Sequence, residues 1–119
     1  MTPFDHYKNV AEFVKANWTA TPFFMHGEVI EQEPPFIVLD IYPLGISPNY
    51  SEKQNVHGAK ISCYEKNRGK THKLISDVQE VFSGTRAGSI YLEEVRTEGP
   101  ITELETDLYE GIVKFTTRS

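Results

Sequence analysis

Pro35-Phe36-Ile37-Val38-Leu39-Asp40-Ile41-Tyr42 is the stretch whose reading decides the fold. It is the most apolar run in the chain and is rich in β-branched and aromatic residues. Pro34-Pro35 precede it and Pro43 follows it. So short a run between proline stops argues for strand over helix. Alternation sets Ile37, Leu39 and Ile41 on one face and Phe36, Val38, Asp40 and Tyr42 on the other. The first face is wholly apolar and must meet the core. The second carries Asp40, whose carboxylate would be costly in a closed core, so it is the outer face. Three large side chains shown together there make a patch that soluble monomers avoid. That predicts a homo-oligomer joined through Phe36, Val38 and Tyr42. The alternative is that residues 28–33, or the loop after the strand, fold over the same face.

Before this strand, Asp5 can cap a helix running to about Asn17, with Tyr7, Val10, Ala11, Phe13, Val14 and Trp18 as its apolar positions. Pro22 excludes helix from Thr21 onward. Residues 22–26 read as a short strand closing at Gly27. After the central strand, residues 43–54 hold Pro43, Gly45, Pro48 and Asn49 and read as a long loop. Loops of this length in small domains tend to be functional. Ser47, Pro48, Asn49, Tyr50 and Lys53 are its candidate assembly contacts, expected to become ordered on assembly.

A strand follows over 56–65, with Ala59, Ile61 and Cys63 inward and Lys60, Ser62 and Tyr64 outward. Asn67-Arg68-Gly69 is a turn. A second helix spans 71–82, with Leu74, Ile75, Val78, Val81 and Phe82 on one stripe. Residues 89–98 alternate as a strand, Gly99-Pro100 begins a turn, and 106–117 form the last strand. Its inward set is Tyr109, Val113 and Phe115, with Leu108 and Ile112 opposite. The order predicts an α+β two-layer sandwich: a mostly antiparallel sheet of about five strands with two helices on one face.

At 119 residues and 39% hydrophobic, the chain has room for one domain over 1–119 and not for two. No apolar run is long enough for a membrane span, and the first residues lack the pattern of a signal peptide. Cys63, the only cysteine, reads as a small residue packed in a strand. The net charge of −5 argues against a protein whose task is gripping nucleic acid. Acid gathers late, at Glu93, Glu94, Glu98, Glu103, Glu105, Asp107 and Glu110, and base at Lys66, Arg68, Lys70 and Lys73.

Catalytic patterns do not assemble. His6, His26, His57 and His72 are scattered without metal-ligand spacing. His57 and Cys63 share one line of a strand but are too far apart along it to imply contact. No serine has a nucleophile-elbow context. Gly69-Lys70-Thr71 resembles the end of a phosphate loop, yet Tyr64 stands where that motif needs its first glycine. No catalytic residue, metal ligand or cofactor is expected, and the chain does not read as an enzyme.

An amphipathic helix leads into Asn17-Trp18-Thr19-Ala20-Thr21-Pro22-Phe23, then come the proline-bounded strand 35–42 and the long loop. Val56-His57-Gly58-Ala59-Lys60-Ile61 follow, leading to Gly69 and a helix. In this order of landmarks the chain resembles the tail terminator and tail completion (head–tail joining) family of long-tailed bacteriophages. The likeness covers about residues 5–82 and extends less clearly to the C-terminal hairpin. Gly58 stands as the counterpart of a glycine that the family carries late in the loop.

The resemblance implies a non-enzymatic virion assembly protein. Such proteins form a ring, typically a homohexamer, that caps the tail tube and offers a docking surface to the head connector. The implied partners are copies of the chain, the tail tube protein and the head connector protein. DNA would pass through without specific binding. The implied location is the virion tail, after assembly in the host cytoplasm. On that reading Glu93, Glu94, Glu98, Glu103 and Glu105 are expected to line or border the channel, where like charge keeps phosphates from sticking. A second reading, from another class, is a small monomeric ligand-binding or accessory module that uses the 43–54 loop. A terminator binds a tube end, whereas such a module ignores tubes.

Overall fold

In the computed structural model, which describes residues 2–46, 55–83, 86–87, 90–103 and 108–118, the chain begins with α1 (Pro3–Asn17), β1 (Phe23–Met25), β2 (Phe36–Ile46) and β3 (Asn55–Glu65). It continues with α2 (Arg68–Phe82), β4 (Arg86–Ala87), β5 (Ile90–Glu103) and β6 (Leu108–Arg118). The strands form one mixed sheet in the order β1-β2-β3-β6-β5-β4. Both helices lie on the Ile37 face, giving the expected α+β two-layer sandwich. Among the described residues no helix is long and apolar enough to cross a membrane.

Sheet pairing is antiparallel except at one rim, where β1 runs parallel to β2. The sequence suggested antiparallel neighbours there. Gly27, at φ +94°, turns the chain out of the sheet, and Glu28 N–H closes the turn on Met25 O at 3.1 Å. Residues 26–35 then return alongside before Pro34-Pro35, which lack donors, release the chain into β2. His26 N–H bonds Leu39 O at 2.8 Å and Ile37 N–H bonds Pro22 O at 3.1 Å, fixing the parallel register. Alternation points the N–H of Met25 outward, and the Glu28 carboxylate takes it at 2.7 Å.

Proline stops proved weaker than their reading. β2 passes through Pro43 to Ile46, with a register shift against β3 between Pro43 and Gly45. A bulge is where a strand tolerates a residue without an N–H. Residues 47–54, which carry the candidate contacts Ser47, Pro48, Asn49, Tyr50 and Lys53, lie outside the described residues. β5 likewise passes through Gly99-Pro100, where the chain was expected to turn, by a register shift between Glu98 and Ile101. Gly99 has φ +97°, and a Cβ there would sit 2.6 Å from Glu110 O, so only glycine fits.

Both helices start earlier than the apolar stripes suggest. The cap of α1 is Thr2, not Asp5. Thr2 Oγ1 accepts from Asp5 N–H and the Asp5 carboxylate accepts from Thr2 N–H, each at 3.1 Å, a reciprocal capping box. Asn67 caps α2 by accepting from Lys70 N–H at 3.0 Å, so Arg68 and Gly69 form its first turn instead of a separate one.

Between the layers, Ile37, Leu39, Ile41, Ala59, Ile61, Cys63, Leu92, Val113 and Phe115 meet Val10, Phe13, Val14 and Trp18 of the α1 side and Leu74, Ile75, Val78 and Phe82 of α2. Phe82 sits at the centre, edge-on to Phe13 and Phe115 and stacked with Trp18. Trp18 closes the end of α1, and its indole N–H reaches Thr21 Oγ1 at 2.9 Å. Of the predicted α2 stripe, only Val81 stays at the surface. The predicted inward Tyr109 is half-buried, while Val113 and Phe115 are in the core.

Candidate functional site

Neither helix covers the second face of the sheet. Pairing in register sets four rows across it. One row carries Phe36, Tyr64, Glu110 and Ile101, and the next carries Phe24, Val38, Ser62, Ile112 and Glu98. The third runs Asp40, Lys60, Lys114 and Arg96, and the fourth runs Tyr42, Gly58, Thr116 and Glu93. The face is therefore apolar toward β1 and charged toward β5.

The three predicted contact residues do not stand alike. Val38 and Tyr42 face outward and are half-buried, as placed by alternation. Phe36 is only 6% exposed, because its own neighbours close over it. Its ring is edge-on to Phe24 at 5.7 Å and tilted against Tyr64 at 5.1 Å. Tyr64 in turn donates its hydroxyl to the Glu110 carboxylate. Tyr42 lies across Gly58, where a Cβ would collide with the ring. A glycine opposite an aromatic lets the ring lie flat on the sheet. Val38 is half-buried between Phe24 and Ser62 along its row, with half-buried Ile112 one strand further, and Ile101, in the row of Phe36, is 54% exposed. Phe24 and Ile112 stand on this face besides the three predicted contact residues. Ile112 had been placed opposite the core, and the strand order sets it two strands from Val38, across Ser62.

The acidic residues separate by face. Glu93 points to the open face and is exposed. Glu98 is on the same face, bonded to Arg96 at 2.7 Å with Lys114 at 4.0 Å, so its charge is compensated at home. Glu94 turns the other way, toward α2. Its carboxylate accepts from Thr97 Oγ1 at 2.6 Å, Gln79 Nε2 at 2.7 Å and Ser83 Oγ at 3.0 Å. The Thr97 and Gln79 bonds, with Ser83 adding, hold this carboxyl below the ordinary glutamate range despite some desolvation. The cavity around it, about 650 Å³ and lined by Gln79, Ser83 and residues 93–97, is a shallow recess. Three of the four lone-pair positions of this carboxylate are already taken by donors of the same chain, two on Oε1 and one on Oε2. Glu103 closes the register of β5 with Leu108, and Glu105 lies outside the described residues.

No catalytic arrangement emerges among the described residues. Cys63 is wholly buried and its thiol is pushed up to about 12, first by burial and then by Glu110, so it is no thiolate at neutral pH. His57 and Cys63 are both inward on β3 but about 20 Å apart along it. His57 instead meets His6, with ring centroids 5.1 Å apart. Among the described residues no three His, Cys, Asp or Glu side chains gather as metal ligands. Compared with known proteins, the chain matches no family model and no curated sequence.

Proposed function

We propose that this chain is a structural assembly protein of a long-tailed bacteriophage. In this reading it is a tail terminator or head–tail joining protein that closes into a ring on the end of the tail tube and offers the head connector its docking surface. One observation carries the reading: a half-buried row in which Phe24, Val38 and Ile112 flank the small, buried Ser62, on the face of the sheet that neither helix covers. The order of landmarks from the first helix to Gly69 supports it from the sequence side. A head-to-tail contact repeated around an axis closes into a ring. Subunits meeting through this row would set the uncovered face against a neighbour and leave the helical layer outside. Glu93, exposed on the same face, is the acidic residue best placed to border a central channel.

Electron microscopy of the purified protein mixed with tail tubes tests the reading. The expected images show density on one end of each tube and tubes of arrested length. Tubes that elongate freely with both ends bare would overturn it.

A further inference from the structure

Two histidines that the assembly surface does not use are packed against each other between the layers. His6, on the first turns of α1, is 1% exposed, and His57, the third residue of β3, is 4% exposed. Their rings are tilted by 56° with centroids 5.1 Å apart. His6 Nε2 lies 3.4 Å from Thr117 Oγ1 on β6, and the Nδ1 of His57 has no hydrogen-bond partner. Two imidazoles this deep, with one nitrogen unpaired, are tolerable while neutral. An added charge on either would be buried without a counter-ion and beside its neighbour.

Charged groups on the surrounding elements face elsewhere. On α1, Asp5 is folded back on Thr2, and Lys8 lies over Phe4 at 5.4 Å. Asp40 on β2, Lys60 on β3 and Lys114 and Arg118 on β6 take the opposite face of the sheet by alternation from Ile41, Ala59 and Thr117. On β5, Glu93 takes that face too, and Glu94 is held by Gln79, Thr97 and Ser83 of the α2 end. On α2, Lys73 is engaged with Asp77 at 3.1 Å. Among the described residues, no carboxylate is therefore placed to steady an imidazolium at this spot.

We propose that His6 and His57 form a pH-sensitive latch, fastening the first turns of α1 to β3 and β6 while both rings are neutral and releasing them when either is protonated. Burial, and for His6 the nearness of His57, lowers both groups below the ordinary 6.5, while the Thr117 backbone works the other way on His6. The sign follows. Below 6.5 the released state takes up protons that the docked state refuses, so docking is complete above 6.5 and is lost as pH falls. β3 enters the sheet at Asn55, directly after residues 47–54, so the latch sits at the root of that segment.

Amide hydrogen exchange of the intact chain from about pH 7.5 to about pH 5, corrected for intrinsic rates, reads the latch directly. Protection of amides in the first half of α1 should fall about tenfold per pH unit for each proton taken up. Protection in α2 should hold. Constant protection in α1, or an equal loss in α2, would overturn a local latch. The variant His6→Leu/His57→Leu should flatten the α1 profile, and a wild-type profile in that variant would also overturn it. Should the variant not fold, the imidazole signals of the wild type decide by nuclear magnetic resonance. Titration of both below 6.5, together with shifts in α1, supports the latch, and titration at or above 6.5 defeats it.

Discussion

Gly111 shows how one missing side chain sets the distance between layers. A Cβ at this position of β6 would run into the side-chain carbons of Ile75, with the Thr71 methyl at 3.4 Å. α2 is thus seated directly on the backbone of the strand, and Thr71 anchors its own turn by donating to Asn67 O at 2.8 Å. Gly111→Val should lift the helix and cost about 1–3 kcal/mol, as overpacking of a filled core does. Urea unfolding monitored by circular dichroism would measure it. A midpoint equal to the wild type would mean that Ile75 has room to move. Gly58 is a different case, because its neighbour Tyr42 lies on the outer face and can swing into solvent.

At the scale of elements, the end of α2 is tied to β5 by Glu94. Its three donors come from both elements: Gln79 and Ser83 from the helix end, Thr97 from the strand. Glu94→Ala should lower stability by about 1 kcal/mol, the usual worth of a partly solvated hydrogen-bond set. The pH dependence has a definite sign. The folded carboxyl lies below 4.5, so its contribution is present above 4.5 and is lost as pH falls through the folded value. Glu94→Gln should therefore flatten the acid limb of a stability–pH curve measured by thermal melting. An unchanged limb would place the network's strength elsewhere. This tie was not legible beforehand, since Glu94 and Gln79 become neighbours only once helix and sheet are packed. The helices and the strand over 56–65 were legible, because their apolar spacing reports a single buried face. Strand direction at β1 was not, because it depends on the path of residues 26–35, which have no periodicity. Pro43 and Gly99-Pro100 looked like ends because bulges leave no signal in composition. At the candidate site the outward stance of Val38 and Tyr42 followed from alternation alone, but the covering of Phe36 depends on the register of three strands.

For the whole molecule, the proposed contact makes Val38 decisive. It lies opposite Ser62 and beside Phe24, on the far side of the sheet from the core, so a lysine there can reach solvent without disturbing the helices. Burying a wholly exposed side chain of this size is worth roughly 1.5–3 kcal/mol, and these half-buried ones would yield less each. Several together, repeated at every contact, are needed to hold a ring. Val38→Lys should leave the circular dichroism spectrum unchanged and reduce the mass seen by light scattering to the 13.6 kDa of one chain. If wild type and variant have equal mass at all concentrations, the subunits do not meet through this face.

The parallel rim has a consequence for how the protein can go wrong. A sheet edge with free amides is a template on which further chains can zip into a fibre. Here that edge is three residues long, and of its two outward amides the one on Met25 is already satisfied by Glu28 within the same chain. A stray strand would find almost nothing to hold. The rim at β1 is therefore a poor template for lateral growth of a fibre from that side.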